Sequence, residues 1–313
     1  MLTLVEMSKM ALGRDMQVES AVMELYARNS DIMMSIPIKN IDGNAITFLR
    51  EKVLPNVGFR GINEPLPRGT GQFSKITESL TASGGELDVD DFLVETGGGD
   101  IRSDQEELQI KALSLKMTKK IIKGDVSSDP KEFDGLQVRC NDTAMPTIIP
   151  AGSSSGGDAL SLIKLDELID SVEDPTHLVM NKTLRRRITA AARNTDVGGY
   201  ITYDTDAFGR QITKYNDLPI LIADKDENYS DIMPFTETQP GGGSAASSSI
   251  YCVSFTENGV VGLQNGDMQV KDLGEIPNSP VYRTRIKWYF TLAIMRYRAA
   301  ARLWGIKNAE VVK

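Results

Sequence analysis

Asn63-Glu64-Pro65-Leu66-Pro67-Arg68-Gly69-Thr70-Gly71 lies in the middle of Ala45–Glu95, the stretch that decides how this chain is built. Two prolines and two glycines in nine residues disfavour helix and strand alike, so the run reads as turns. Strand-like pieces flank it: Ala45–Arg50 with Val57–Arg60 on one side, Ser74–Leu80 with Glu86–Val94 on the other. Apolar residues are sparse, with Phe59, Ile76, Leu80, Leu87 and Val89 alternating with polar or charged neighbours. The pattern predicts a long two-stranded arm with almost no core of its own. A ribbon of that kind buries too little apolar area to offset its ordering entropy. An arm this large therefore lies on something else, and the expected support is other copies of the same chain.

The rest of the sequence is ordinary for a globular protein, with 313 residues, 41% of them hydrophobic and 25% charged. No apolar run approaches the roughly 18 residues a spanning helix needs, so no membrane segment is expected. Met1–Glu6 lacks a basic region followed by an apolar one, so no secretory signal is expected either. Cys140 and Cys252 are far apart and read as two buried thiols in a reducing compartment. The net charge of −8 argues against a dedicated nucleic-acid binder, though not against a protein that encloses nucleic acid. His177 is the single histidine, which excludes metal sites built on several imidazoles and mechanisms needing two.

Outward from the arm, residues 1–43 read as a leading segment. Asp15–Arg28 is a predicted helix with Val18, Val22 and Leu25 on one face, followed by an extended Ile32–Ile41. After the arm, Thr96-Gly97-Gly98-Gly99-Asp100 is a predicted hinge. Ser103-Asp104-Gln105-Glu106 then reads as a capping box opening a long helix with two apolar stripes, Leu108/Ala112/Leu115/Ile122 and Ile110/Leu113/Met117/Ile121. Lys116, Lys119, Lys120 and Lys123 crowd its last turns and Gly124 ends it. From Pro130 to Thr256 helices alternate with strands: a short helix near Phe133–Val138, a helix at Asp158–Val172, strand His177–Met180, a helix Lys182–Arg193 capped by Asn181, and strands Leu218–Ala223 and Ile250–Phe255. Near the end, Ile286, Trp288, Phe290, Leu292 and Ile294 fall on one face of a long strand. The long helix is expected to lie on that face.

Three motifs carry candidate chemistry. Gly152-Ser153-Ser154-Ser155-Gly156 fits the G-x-S-x-G elbow of serine hydrolases, with His177 downstream. Pro150 interrupts the strand that should feed such an elbow, and Ala151–Gly157 reads better as a flexible loop. Asp224-Lys225-Asp226-Glu227-Asn228 begins like a calcium loop, but Tyr229 and Phe235 stand where glycine and glutamate are required. Arg185-Arg186-Arg187 with Lys182 and Arg193 could contact phosphates, but the default reading is the solvated side of a helix whose buried side is Leu184, Ile188 and Ala192. No catalytic residue, cofactor or metal site is expected. The acidic second half of the arm (Glu78, Glu86, Asp88, Asp90, Asp91, Glu95) and the lysine-rich end of the long helix have two readings: merely solvating charge within one chain, or a docking code between chains.

This order of parts resembles the Hong Kong 97-type major capsid proteins of tailed bacteriophages. The likeness is carried by Ile36–Ala45 leading to Leu54–Arg60, by Asp129–Leu136, and by Arg283–Trp288 through Arg302–Ile306. The resemblance implies an α+β fold with an N-terminal arm (1–44), an extended loop (45–95), a peripheral domain (96–131 and 258–296) and an α/β axial domain (132–257 and 297–313). It implies self-assembly into pentamers and hexamers of an icosahedral shell, in a virion assembled in host cytoplasm, around double-stranded DNA touched only nonspecifically. Scaffolding and portal proteins are the expected partners, and a decoration protein is a further one. The chain has no long coiled-coil leader, so a separate scaffold or none is expected. Candidate intersubunit contacts are Arg60, Arg68, Lys75, Glu78, Asp88, Asp90, Lys119 and Lys120. Some relatives crosslink a loop lysine to a neighbour's asparagine; Lys75 is the candidate here. The alternatives are an encapsulin-type compartment, a serine hydrolase using Ser154, and a plain cytosolic oligomer.

Overall fold

The computed structural model describes residues 1–313 except 14–15, 98–99, 142–146, 194–200, 206–207, 239–244, 278 and 313, and the side chains of 97 and 100. In chain order the elements are α1 (Leu4–Leu12), α2 (Gln17–Asn29), α3 (Asp31–Ser35), β1 (Ile38–Asn40), β2 (Ala45–Val53), β3 (Gln72–Ser79), β4 (Thr81–Asp90), α4 (Asp91–Gly97), α5 (Asp100–Lys123), α6 (Leu136–Arg139), β5 (Ile148–Pro150), α7 (Leu162–Ser171), β6 (His177–Met180), α8 (Lys182–Ala191), β7 (Ile201–Thr205), β8 (Gln211–Tyr215), β9 (Leu218–Ile222), β10 (Ser247–Val253), β11 (Val260–Gln264), β12 (Gln269–Ile276), β13 (Ser279–Ile294) and β14 (Ala300–Lys307). They form two sheets and a separate ribbon.

The first sheet is organised by β13, which pairs with β11 and β12 and also carries β4. Its period of two is real: Ile286, Trp288, Phe290, Leu292 and Ile294 are all buried. Aromatic edges lock that face, with Tyr26 against Trp288 at 6.0 Å, Trp288 against Phe290 at 4.5 Å and Phe290 against Phe133 at 5.6 Å between ring centres. The Trp288 indole donates to Gln264 Oε1 at 2.8 Å, so its one polar atom is satisfied inside the core. The 24-residue α5, about 36 Å long at 1.5 Å per residue, contributes Ile110, Met117, Ile121 and Ile122 to the same core. A long helix on a long strand is therefore the architecture, as the apolar patterns predict. The Ile110/Leu113/Met117/Ile121 stripe is the covered one, whereas of the other stripe only Ile122 is buried and Leu108 and Ala112 are exposed.

Four expectations change. The Ser103 capping box is not a helix start: α5 already begins at Asp100, and Glu106 instead accepts from Thr284 of β13 at 2.6 Å. Of the predicted hinge, Thr96 and Gly97 end α4 and Asp100 opens α5, while 98–99 lie outside the described residues. Of the expected extended segment Ile32–Ile41 the first residues form α3, while Ile36 onward is extended and includes β1; α1, capped by Thr3 and Glu6, precedes α2. In α2 the buried side is Val22, Met23, Tyr26 and Ala27, with Val18 exposed, because the helix packs on Trp288 rather than along the Val18–Leu25 line.

The largest change concerns the arm. Thr81–Asp90 pairs with β13 over ten residues, from Thr81 opposite Phe290 to Asp90 opposite Val281. The predicted strand Glu86–Val94 is thus the end of β4 followed by α4, and it belongs to the main sheet. Val57–Arg60 forms no strand. The free ribbon is β2 with β3 alone, from Ala45 opposite Ser79 to Val53 opposite Gln72.

The second sheet runs β5-β14-β10-β6-β9-β8-β7. His177–Met180 and the Asn181 cap stand as predicted, with Leu184 N–H donating to Asn181 Oδ1 at 2.8 Å. Leu165, Leu168 and Ile169 of α7 and Leu184 and Ile188 of α8 cover one face with Leu178, Ile220, Ile250 and Leu303. Val179, Leu221, Tyr251 and Val253 on the other face merge with the α5–β13 core, so the two sheets share apolar packing. Where they meet, Arg302 is buried and donates to Glu237 Oε2 at 2.8 Å and to Ser249 Oγ at 2.9 Å. A buried pair of this kind costs about 3–5 kcal/mol to break from one side, since the survivor stays charged and unpaired.

Candidate assembly surface

The surface that needs explaining is the arm. Every residue from Glu51 through Phe73 is exposed, an unbroken run of 23. Val57, Phe59 and Ile62 keep 83%, 107% and 95% of their free surface, and Leu54, Leu66 and Phe73 are also out in solvent. Scattered exposed apolar residues are normal, but six on one thin projection form a patch of the kind that marks an interaction site. The sequence pattern undercounted them, because Leu54, Val57, Ile62 and Leu66 sit among prolines and glycines with no period to betray them.

The arm is shaped rather than shapeless. At Gly69 a side chain would fall 2.6 Å from the Asn56 backbone nitrogen, so only glycine lets the two limbs of the tip lie this close. Nearer the base, Thr47 and Thr77 pair across the ribbon at 3.0 Å. At the root, the Arg50 guanidinium stacks over Tyr297 at 4.2 Å and donates to the Ile294 carbonyl at 3.4 Å. Glu78 accepts both forks of Arg139 at 2.5 and 2.8 Å, with both side chains largely covered. Bidentate pairs of this geometry fix orientation as well as adding energy. The root is anchored, while every residue of the outer part is exposed.

The predicted contact residues divide along that line. Arg60 and Arg68 lie on the exposed tip, and Lys75 projects from β3 opposite Leu49. Asp90 is exposed and accepts from Phe92 N–H at 2.9 Å, holding the start of α4. Glu78 is spent on Arg139. Asp88 takes both Nε and Nη2 of Arg283 at 2.6 Å, and that hydrogen bonding holds its carboxyl below the usual carboxylate range. Lys119 donates to Asp226 at 2.8 Å, which raises the lysine and lowers the aspartate, and Lys120 pairs with Glu132. Glu86 likewise bonds Arg285 at 2.6 Å. Glu78, Glu86, Asp88, Lys119 and Lys120 thus find partners within the chain, across strands and loops that sequence order does not reveal.

The enzyme-like motifs are dispersed. Ser154 N–H donates to Asp158 Oδ2 at 3.0 Å, while His177 faces Thr176 Oγ1 at 2.9 Å and the Phe255 ring. Among the described residues no hydrogen bond joins Ser154 to His177. Ala151–Gly157 is a loop of bends and a turn, as expected, and Gly157 at its end has a φ of +84° and packs on the Gly305 carbonyl, where a Cβ would come within 2.5 Å. Asp226 Oδ1 is occupied by the N–H groups of Asn228 and Ser230. Among the described residues, no helix is long and apolar enough to cross a membrane, and no three His, Cys, Asp or Glu gather as a metal site.

An anchored, solvent-exposed arm beside a long helix on a long strand can be compared with known proteins. A family model described as major capsid protein GP7 matches residues 14–167. No curated protein matches in sequence. Among solved structures, a chain from Mycobacterium phage Cain aligns with a TM-score of 0.60 at 12% identity, over 89% of this chain and 90% of that one. The capsid of the native GTA particle gives 0.55 at 16%, over 90% of each chain. The chain is a capsid shell protein of the Hong Kong 97-type fold. The holo-SrpI encapsulin complex from Synechococcus elongatus PCC 7942 shares this fold, with a TM-score of 0.60 at 16% identity over 89% of the capsid protein and 88% of that chain.

Proposed function

We propose that the capsid protein builds the icosahedral head of a tailed phage, closing pentamers and hexamers around double-stranded DNA that it touches without sequence preference. Residues 45–80 act as the extended loop that reaches over a neighbouring subunit, with Arg60, Arg68 and Lys75 among its contacts. The sheet of β13 with α5 serves as the peripheral domain, and the seven-stranded sheet with α7 and α8 as the axial domain. The role is structural, without catalysis. Its place is the virion, after assembly in the host cytoplasm with a scaffolding protein and a portal, and with a decoration protein as a further partner. The scaffold is supported by the likeness to a satellite phage P4 procapsid that includes a size-determination protein, at a TM-score of 0.50 and 12% identity over 92% of this chain and 99% of that one.

The observation that carries this reading is the 23-residue exposed run with its apolar tip, which only broad contact between copies would cover. The test is electron microscopy of the purified protein with nuclease-protected nucleic acid measured on the same particles. Closed shells holding DNA in infected cells support the phage head. A compartment of encapsulin type, favoured by the equal likeness to the SrpI shell, predicts closed shells loaded with protein and free of genome. Small soluble oligomers contradict both.

A further inference from the structure

The axial sheet carries its charge asymmetrically. From Leu162 to Asp174, α7 and the turn after it hold five carboxylates (Asp166, Glu167, Asp170, Glu173, Asp174) and the single cation Lys164. From Lys182 to Arg193, α8 and its end hold five cations (Lys182, Arg185, Arg186, Arg187, Arg193) and no carboxylate, in a chain of net charge −8. Both helices bury their apolar sides in the same core, so they cover one face of the sheet. They stand on different parts of it, α7 against β14 and α8 against β9, with β10 and β6 between. Asp166, Glu167 and Asp170 are exposed on α7, and Lys182, Arg186 and Arg193 on α8. Lys182 and Arg186, four residues apart, share one stripe of the helix, and Arg193 lies in the turn just past its end.

Among the described residues, three of the five carboxylates around α7 find cations within the chain, but only one of the five cations around α8 finds a carboxylate. Lys182 pairs with Asp224, Lys164 with Glu167, and Arg296 reaches Glu173 and Asp174. Arg186 and Arg187 bond only neutral groups, Thr183 Oγ1 and Asn308 Oδ1. Among the described residues no carboxylate forms an ion pair with Arg185, Arg186, Arg187 or Arg193, and no cation pairs with Asp166 or Asp170. One helix is left basic, the other acidic.

We propose that these are the two halves of one contact between copies of the chain: the cationic stripe of α8 docks on the carboxylates of α7 in the next subunit. The inference rests on the shell reading above. A contact joining two different patches is head-to-tail, so repeated use closes a ring. Complementary charge of this kind sets encounter rate and register more than raw affinity. A basic stripe alone would equally suit the phosphates of nucleic acid. The acidic helix on the same face would repel phosphates, whereas a subunit–subunit contact employs both helices.

The experiment is a charge exchange in the full-length protein: Arg186→Glu with Arg193→Glu, Glu167→Lys with Asp170→Lys, and all four together. Particle yield is read by light scattering and negative-stain microscopy, and thermal unfolding of the dispersed variants confirms that each subunit is folded. Each one-sided reversal is expected to lower particle yield by about tenfold or more, and the four-residue exchange to recover most of it. Normal assembly of either one-sided variant, or no recovery in the exchange, overturns the proposal. Loss of co-purified nucleic acid from the α8 variant at unchanged particle yield assigns the stripe to phosphates and overturns it as well. These failures leave the shell reading standing if the wild-type chain assembles; a wild-type chain that forms no particle removes the shell and this contact together.

Discussion

The arm and the β13 core are strands of the same chain with opposite fates. On β13 five alternate residues from Ile286 to Ile294 are buried by α5, α2 and each other. On β2, β3 and the tip between them, eight large apolar residues stand in water. The difference is not composition but support. A strand gains its stability from what covers its face, and a two-stranded ribbon with nothing above it has no such gain. Stability and assembly are therefore separable in this molecule: the β13 region decides whether the subunit folds, the arm whether subunits join.

Deleting residues 54–71 and closing β2 to β3 with an Asn-Gly turn should give the largest effect, a complete loss of particles with subunit unfolding left within about 0.5 kcal/mol of wild type. Sedimentation and denaturant melts read the two quantities independently. A marked fall in subunit stability would mean that the arm belongs to the fold. Trp288→Ala should act in the reverse sense, costing about 3–5 kcal/mol in the same melts because it empties the centre of the aromatic cluster.

A smaller effect separates the axial sheet from both. Burial lowers the His177 imidazole to about 4. The unfolded chain takes up that proton near pH 6.5 and the folded chain only near pH 4, so stability falls as the pH drops through that window. The loss should be about 3 kcal/mol, and His177→Leu should flatten it in melts at the two ends of the window. The smallest effect is expected at the tip: Phe59→Ala should leave the subunit melt unchanged within about 0.5 kcal/mol while weakening assembly. Equal losses in melt and assembly would break the comparison.

The same contrast explains what could be read in the sequence. Local signals survived: the alternation on β13, the apolar side of α5, and the Asn181 cap each depend on neighbours a few residues away. Nonlocal pairing did not. Thr81–Asp90 is polar and glycine-rich, and its place beside β13 is set by partners some two hundred residues later. For the same reason Asp88 and Glu86 looked free for other chains although Arg283 and Arg285 hold them. At Ser103 a genuine capping pattern lost to the helix continuing upstream, where Glu106 found Thr284. The arm itself was legible from its turn residues, but the size of its apolar tip emerged only from exposure.

The measurement closest to the central claim is amide hydrogen exchange across residues 51–73, taken on the dispersed subunit and on the assembled particle. The account predicts near-unprotected exchange in the subunit and strong slowing once neighbouring copies cover the segment. Protection already present in the lone subunit, or none gained in the particle, would contradict it.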